Sequence, residues 1–195
     1  MKSADLGRKK LILAAAAGLF RRTGVRRTTV ADIAEEAQIS VGSVYLEFAG
    51  KDAIVAALSR ECFGQVLTEM REAVAAAPSP SDALHRALQI RSEALHRHSA
   101  SAPFAKDLID CGACGAVRDA VRGFERAEQA LIQGLLEAGE KSGEFELVDR
   151  SDVVAGTLLR LLERLGPAHE SDLSGRSLER EIGRAVELLV RSVRA

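Results

Sequence analysis

The chain has 195 residues, 47% of them hydrophobic, which is enough for a buried core, and no apolar run approaches the ~20 residues needed to cross a bilayer. Its three cysteines are an odd number and too few for a disulfide scaffold, which argues against a disulfide-rich secreted protein and favours a cytoplasmic location. The net charge of −1 combines +4 over residues 1–60 (ten Lys and Arg, six Asp and Glu) with −5 over residues 61–195 (seventeen and twenty-two), which favours a polyanionic partner for the N-terminal part alone.

The N-terminal stretch RKKLILAAAAGLFRR has the basic flank and the apolar run of a secretory signal. Two details argue against that interpretation. Arg21 and Arg22 end the run where a small-residue cleavage site would follow, and Leu11, Ala15 and Leu19 recur at helical spacing. We therefore expect a folded helix here, from about residue 6 to residue 23.

The next two predicted helices are short and closely linked. Gly24 is a typical residue after a helix end, and Thr29 with Asp32 resembles a capping box that opens a second helix through about residue 37. Ser40 then caps a third helix to about residue 47, which leaves a turn of only two residues, 38 and 39. Two short helices joined this tightly form a helix-turn-helix unit.

The third helix has the residue types of a base-reading helix. Val41, Gly42 and Ser43 in its first turn are small enough for the backbone to approach the floor of a major groove. Ser43 can exchange a hydrogen bond with a base edge, and Val41 can pack on a thymine methyl. The alternative interpretation is a purely structural hairpin in which Tyr45, the only tyrosine, is a half-buried core residue.

Phosphate contacts are expected on either side of the base-reading turn. The hydroxyl of Tyr45 and the ammonium of Lys51 can bind phosphates on one side, and Thr28 or Thr29 can do so on the other. The predicted DNA-contacting residues are Thr28, Thr29, Ser40, Val41, Gly42, Ser43, Tyr45 and Lys51.

The remaining predicted helices are longer. They cover residues 51–77, 81–98, 103–111, 117–141, 149–165 and 178–193. No segment alternates convincingly as a strand, so we predict an all-α fold.

At these motifs the chain resembles the TetR family of bacterial transcriptional regulators. The resemblance lies in the sequence ILAAAAGLFRRTGVRRTTVADIAEEAQISVGSVYLEFAGKDAIVAAL, and LLEAGEKSGEF is similar to a stretch common in the ligand-binding half of that family. It implies that Thr29, Val41, Gly42, Ser43, Tyr45 and Lys51 contact DNA. It further implies a homodimeric regulator without enzymatic activity, most often a repressor that a small-molecule effector releases from a palindromic double-stranded operator.

Two positions depart from the family pattern. Gln38 stands where the family usually has glycine, so this residue must either adopt a positive φ or tighten the turn differently. Leu46 and Glu47 stand where larger aromatic or basic residues are frequent. Glu47 must then either turn away from the phosphates or accept a hydrogen bond from a cytosine amino group.

The resemblance divides the chain into a helix-turn-helix DNA-binding domain at residues 1–50 and a helical ligand-binding and dimerisation domain at residues 51–195. Residues expected to line an apolar effector pocket are Phe63, Leu67, Met70, Leu88, Arg91, Phe104, Leu108 and Phe124, with Arg91, His96 or His98 as a polar anchor. Two apolar stripes on the last two helices are expected to form a four-helix dimer interface: Val154, Leu158, Leu161, Leu162, Leu165, Leu178, Ile182, Val186, Leu189 and Val193. The alternative is that both stripes face the core of their own chain.

The segment DCGACG has two cysteines, Cys111 and Cys114, at the spacing of a redox pair or of half a metal site. A zinc site would need two more ligands, for which His96 and His98 are candidates. Ordinary thiols, a thiol switch and a metal site all stay open, and a helical thiol oxidoreductase is the enzyme alternative. The leading interpretation needs neither a metal nor a cofactor.

Overall fold

The computed structural model describes residues 2–101, 115–164 and 175–195. This part of the chain forms eight α-helices and no strand, apart from one isolated bridge between Phe145 and Arg194, which confirms the predicted all-α fold. The helices are α1 Lys2–Thr23, α2 Val30–Glu36, α3 Val41–Glu47, α4 Lys51–Ala75, α5 Pro80–Ser101, α6 Gly115–Ser142, α7 Ser151–Arg164 and α8 Gly175–Arg191.

Several predictions lie outside the described residues. They concern the helix predicted at 103–111 and five residues: Phe104, Leu108, Cys111, Cys114 and Leu165. The backbone of His96, His98 and Leu178 is described, but their side chains are not. Among the helices that are described, none is long and apolar enough to span a membrane.

The chain divides into two compact units. Unit 1 consists of Met1–Phe63 and His98–Arg122, and unit 2 of Gly64–Arg97 and Gly123–Ala195. The boundary predicted after residue 50 separates DNA binding from ligand binding and dimerisation, whereas these units are defined by packing alone. That functional boundary stays a prediction.

The core of unit 1 is built on α1, α2 and α3. Ile12, Ala16 and Phe20 repeat every four residues along α1, so they lie on one face of the helix, and all are buried. They share this cluster with Ile33 of α2 and Val44 of α3. Burying a side chain of this size contributes about 1.5–3 kcal/mol, so the cluster is sufficient to fix how the three helices pack. From residue 20 to residue 48, nine apolar residues are buried or partly buried in this cluster: Phe20, Val25, Val30, Ile33, Ala34, Ala37, Ile39, Val44 and Phe48.

The ends of the first two helices follow the sequence signals. Gly24 takes a φ of 82° and donates to the Phe20 carbonyl at 3.0 Å, which ends α1 where predicted. Thr29 caps α2: its hydroxyl oxygen accepts from the Asp32 amide at 3.1 Å, and the Thr29 amide donates to the Asp32 carboxylate at 2.7 Å. The predicted capping box is therefore confirmed.

Unit 2 packs α7 against α8 and closes α6 with a glycine turn. Gly143 takes a φ of 76° just after α6. Gly139 lies directly against the ring of Phe145, and any side chain at this glycine would collide with that ring. Both glycines of the sequence LLEAGEKSGEF therefore have a structural reason at the end of α6. Gly139 leaves room for the Phe145 ring, and Gly143 adopts the positive φ that follows the helix.

Candidate nucleic-acid interface

The turn between α2 and α3 is built around Gln38, which has a φ of 55°. The Gln38 amide donates to the Glu35 carbonyl, and the Ile39 amide donates to the Ala34 carbonyl, both at 3.0 Å. This resolves the choice left by the sequence: Gln38 adopts the positive φ at which the family usually has glycine. The left-handed conformation costs a non-glycine residue about 1–2 kcal/mol, which the buried α2 and α3 contacts offset.

Helix α3 begins at a serine cap. The Ser40 hydroxyl oxygen accepts from the Ser43 amide at 3.1 Å, and the two hydroxyl oxygens lie 2.9 Å apart. Val44 is buried beneath the helix, Ser43 is half-buried, and Val41, Gly42, Tyr45 and Leu46 are exposed. The cap and the single buried valine together fix which face of α3 is presented to solvent.

That outer face carries the predicted base-reading residues. Val41 is 41% exposed and Tyr45 is 55% exposed. Tyr45 is therefore a surface residue, and the alternative in which it belongs to a half-buried structural core is wrong. Gly42 is exposed as well, and a Cβ at this glycine would meet only the Ser40 hydroxyl oxygen, at an ordinary contact distance of 3.8 Å.

Glu47, at the last position of α3, turns back toward α1. Its carboxylate lies 3.1 Å from an Arg8 guanidinium nitrogen and 3.8 Å from the Lys9 ammonium, and its side chain is only 6% exposed. The negative charge that would oppose a phosphate is thus paired within the unit. This pairing holds the end of α3 on α1.

Thr28 needs a correction. It is buried, and its hydroxyl donates to the Gly24 carbonyl at 2.8 Å and lies 2.9 Å from the Thr23 hydroxyl oxygen. Its side chain therefore stabilises the loop between α1 and α2 and is not available to a phosphate. Thr29 is exposed and keeps its place as a candidate.

Lys51 also has partners within the chain. Its ammonium donates to the carbonyl oxygens of Val25 at 2.8 Å, Thr28 at 2.9 Å and, more weakly, Arg26 at 3.4 Å. An ammonium group has three N–H donors, so all of them point into the loop that precedes α2. The structure thus gives Lys51 a role in holding this loop, and the phosphate contact stays a prediction.

Four of the predicted effector-pocket residues lie in the buried interior of unit 2: Leu67, Met70, Leu88 and Phe124. Phe63 is half-buried and belongs to unit 1. An apolar interior of this kind is compatible both with an ordinary core and with the walls of an apolar pocket.

Arg91, the predicted polar anchor, is buried and ion-paired. Its guanidinium donates to both carboxylate oxygens of Glu128, at 2.5 and 3.1 Å, and approaches Glu163 at 3.4 Å. Burial raises the pKa of the Glu128 carboxyl, and the hydrogen bond and positive charge of Arg91 oppose that rise. Arg91 is therefore neutralised inside unit 2, and an acidic ligand group would have to compete with Glu128 for it.

The predicted dimer stripes need a second correction. Six of the ten residues are buried within their own chain: Val154, Leu158, Leu162, Ile182, Val186 and Val193. These side chains pack α7 and α8 in the core of unit 2, as the alternative interpretation of the stripes proposed. Among the described side chains of these two helices, the large apolar ones that remain exposed are those of Val153, Leu161 and Leu188, while Leu189 is half-buried.

Two features of this surface were not singled out as DNA contacts from the sequence. Arg8 and Glu47 are 39 positions apart in the sequence, so no local sequence pattern predicts their ion pair. Leu46 is 80% exposed on α3, and the sequence pointed to it only because the family frequently has an aromatic or basic residue at that position.

Within the described ranges, no three His, Cys, Asp or Glu side chains are grouped so that they could hold a metal ion.

Comparison with known proteins places this unit among bacterial regulators. A family model described as "Bacterial regulatory proteins, tetR family" matches residues 12–58, which include α2, α3 and the start of α4. The uncharacterized HTH-type transcriptional regulator YhgD of Bacillus subtilis (strain 168) is 30% identical over 161 residues, which cover 80% of this chain and 81% of that protein.

Two further proteins extend the similarity along the chain. The HTH-type transcriptional repressor KstR2 of Rhodococcus jostii (strain RHA1) is 29% identical over 160 residues, which cover 82% of this chain and 76% of that one. The crystal structure of the transcriptional regulator FadR from Bacillus subtilis in complex with stearoyl-CoA has a TM-score of 0.77 at 19% identity, over 94% of this chain and 98% of that chain. The latter shows a shared fold.

Proposed function

The chain belongs to the TetR family of bacterial regulatory proteins, and from this membership we propose that it is a repressor that binds a two-fold operator as a homodimer until a small effector releases it. It is a DNA-binding transcriptional regulator, and its partners are double-stranded DNA and a second copy of itself. The proposal includes no catalytic step and locates the protein in the cytoplasm, with the DNA.

The observation that carries the proposal is the outer face of α3. A seven-residue helix in a helix-turn-helix unit presents Val41, Gly42 and Tyr45 to solvent while Val44 anchors it from below. Helices of this kind read bases from the major groove with their first residues. We assign base contacts to Val41, Gly42 and Ser43, and backbone contacts to Thr29 and Tyr45.

Gly42 supports the docking of α3 in a groove. Glycine inside a helix costs roughly 0.5–1 kcal/mol relative to alanine, and nothing in the described part of the chain crowds this position. A glycine that its own fold does not require is explained if another molecule approaches the backbone there. The floor of a DNA groove is such a molecule.

The dimer interface is assigned to the outer faces of α7 and α8. Because six of the ten stripe residues are buried in unit 2, this assignment is supported by the exposed apolar side chains among the described residues of the two helices, Val153, Leu161 and Leu188. A two-fold contact of paired helices buries the same patch on both copies.

The effector is proposed to be a small apolar or amphipathic molecule bound by unit 2. Support comes from the aliphatic and aromatic interior formed by Leu67, Met70, Leu88 and Phe124. FadR from Bacillus subtilis, which shares this fold, forms a complex with stearoyl-CoA, and that supports an effector with an apolar part. Arg91, already paired with Glu128, is proposed to orient a polar group of the effector.

The test is selection of bound duplexes from fragments of the source genome, followed by affinity measurements on the selected site. We expect a sequence with two-fold symmetry and half-sites about one helical turn, ~34–36 Å, apart. A duplex that carries a single half-site should bind much more weakly, and affinity should fall linearly with salt on logarithmic axes. Selection that yields no enriched sequence, or equal affinity for one half-site and two, would overturn the proposal.

A further inference from the structure

The base-reading helix α3 presents a largely apolar outer face. Val41, Tyr45 and Leu46 are 41%, 55% and 80% exposed, and the helix sequence VGSVYLE contains no Arg, Lys, Asn or Gln. Those four side chains make the common hydrogen-bonded contacts to guanine and adenine in the major groove. The helix therefore lacks the groups on which base recognition by hydrogen bonding mostly depends.

Apart from the exposed Tyr45 hydroxyl, which is assigned to the DNA backbone, the polar side chains of α3 and its cap already have partners. The hydroxyls of Ser40 and Ser43 lie 2.9 Å from each other, and the Ser40 oxygen also accepts from the Ser43 amide. The Glu47 carboxylate is paired with Arg8 and Lys9 and nearly fully covered. An acceptor for a cytosine amino group is thus not offered by Glu47 in this arrangement.

The thymine C5-methyl group is the apolar feature of the major groove, and exposed aliphatic side chains match it. The surrounding residues 1–60 carry ten Lys and Arg against six Asp and Glu, so the charge around this face suits DNA. We propose that thymine methyl groups carry most of the base recognition by α3, and that Leu46, together with Val41, determines specificity by packing on them. This inference rests on the proposed DNA-binding function.

Removal of the methyl group alone is the direct test. Deoxyuridine keeps the pairing and every hydrogen-bonding group of thymine and lacks only the C5-methyl. Each thymine of the selected operator is replaced in turn, symmetrically in both half-sites, and dissociation constants are measured by fluorescence anisotropy for the whole protein. At a contacted position we expect a three- to fourfold loss per half-site, the equivalent of about 0.8 kcal/mol for one buried methyl, and thus roughly tenfold for the dimer.

Variants assign the contact to its residue. Leu46→Ala should bind the natural operator more weakly and should lose nothing further when the thymine that Leu46 contacts is replaced. Leu11→Ala is the matched control, because Leu11 is also an exposed leucine of unit 1 but lies on α1, and it should keep the full deoxyuridine effect. Circular dichroism verifies that each variant is folded.

Three outcomes would overturn the inference or its premise. If the natural protein binds its operator and every deoxyuridine duplex binds within twofold of it, methyl recognition is wrong while DNA binding stands. If Leu46→Ala keeps the whole deoxyuridine effect at every position, the assignment to Leu46 is wrong. If the natural protein binds no operator at all, the proposed function itself fails and the inference fails with it.

Discussion

At the scale of single residues, substitution of Gly42 should affect the stability of the protein and its operator affinity in opposite directions. Gly42→Ala should raise the free energy of unfolding by roughly 0.5–1 kcal/mol, because alanine favours the helix and a Cβ has room. The same methyl group should weaken operator binding if the backbone approaches the groove floor. Urea unfolding and anisotropy titrations measure the two effects.

The matched control for this substitution is Gly134→Ala. Gly134 is likewise an exposed glycine inside a helix, α6, and no described atom lies within 4 Å of a Cβ placed there. It should stabilise the protein to a similar degree without any change in operator affinity. If Gly42→Ala bound the operator as tightly as Gly134→Ala, the close approach at Gly42 would be disproved.

Thr28 and Lys51 show what residue-scale prediction from sequence leaves out. Their types suit phosphate contacts, and the sequence places them beside the base-reading turn. Their actual partners, however, are loop carbonyls, and the hydrogen bonds of Lys51 join positions 23 to 26 residues apart. The residue type and its spacing in the sequence indicate which groups a side chain can bind. Only the folded loop shows which of those groups lie within hydrogen-bonding distance.

At the scale of elements, the capping box of α2 makes the stability of unit 1 depend on pH. The hydrogen bonds from Thr29, the backbone amide above all, lower the pKa of the Asp32 carboxyl. Since the folded pKa lies below that of the unfolded chain, this carboxylate stabilises the fold at pH values above its ordinary pKa. The contribution is lost as the pH falls through the lowered folded pKa.

Substitution of the box should reproduce that dependence. Thr29→Ala should lower the free energy of unfolding by about 0.5–2 kcal/mol at neutral pH, the usual range for a lost N-cap. Asp32→Asn should also destabilise at neutral pH, and its difference from the natural protein should shrink as the pH falls below the folded pKa. Glu35→Gln, which removes an exposed carboxylate of α2 outside the box, is the control. A constant difference for Asp32→Asn across the acid range would contradict this account.

Helices and their ends could be predicted from sequence more fully than their packing. Gly24, Thr29 and Ser40 mark ends through local backbone chemistry, and the structure has each end where these signals place it. The apolar stripes of α7 and α8 are different, because periodicity predicts that one face of a helix is buried but does not identify the surface that covers it. Leu158 and Val186, for example, would repeat in the same way against the core of their own chain or against a second copy.

At the scale of the whole molecule, regulation requires that effector and operator compete through conformation. Helix α4 follows α3 after only a short connection and, like α5 and α6, contributes residues to both units, so it is one covalent route by which effector binding in unit 2 can influence α3. The effector need only prefer the geometry that does not fit DNA. A coupling free energy of about 1–3 kcal/mol weakens operator binding by roughly 5- to 150-fold.

Thermodynamic linkage makes this coupling measurable from either side. If an effector weakens operator affinity by a given factor, the operator must weaken effector affinity by the same factor. Calorimetric titration of the effector into the free dimer should therefore give tighter binding than titration into the operator complex. A duplex of unrelated sequence, at a concentration too low to bind, should leave effector affinity unchanged. Equal effector affinity with and without operator would exclude release by this coupling, and it would leave the DNA contacts proposed for α3 untouched, because those contacts are made by unit 1 residues and do not require an effector.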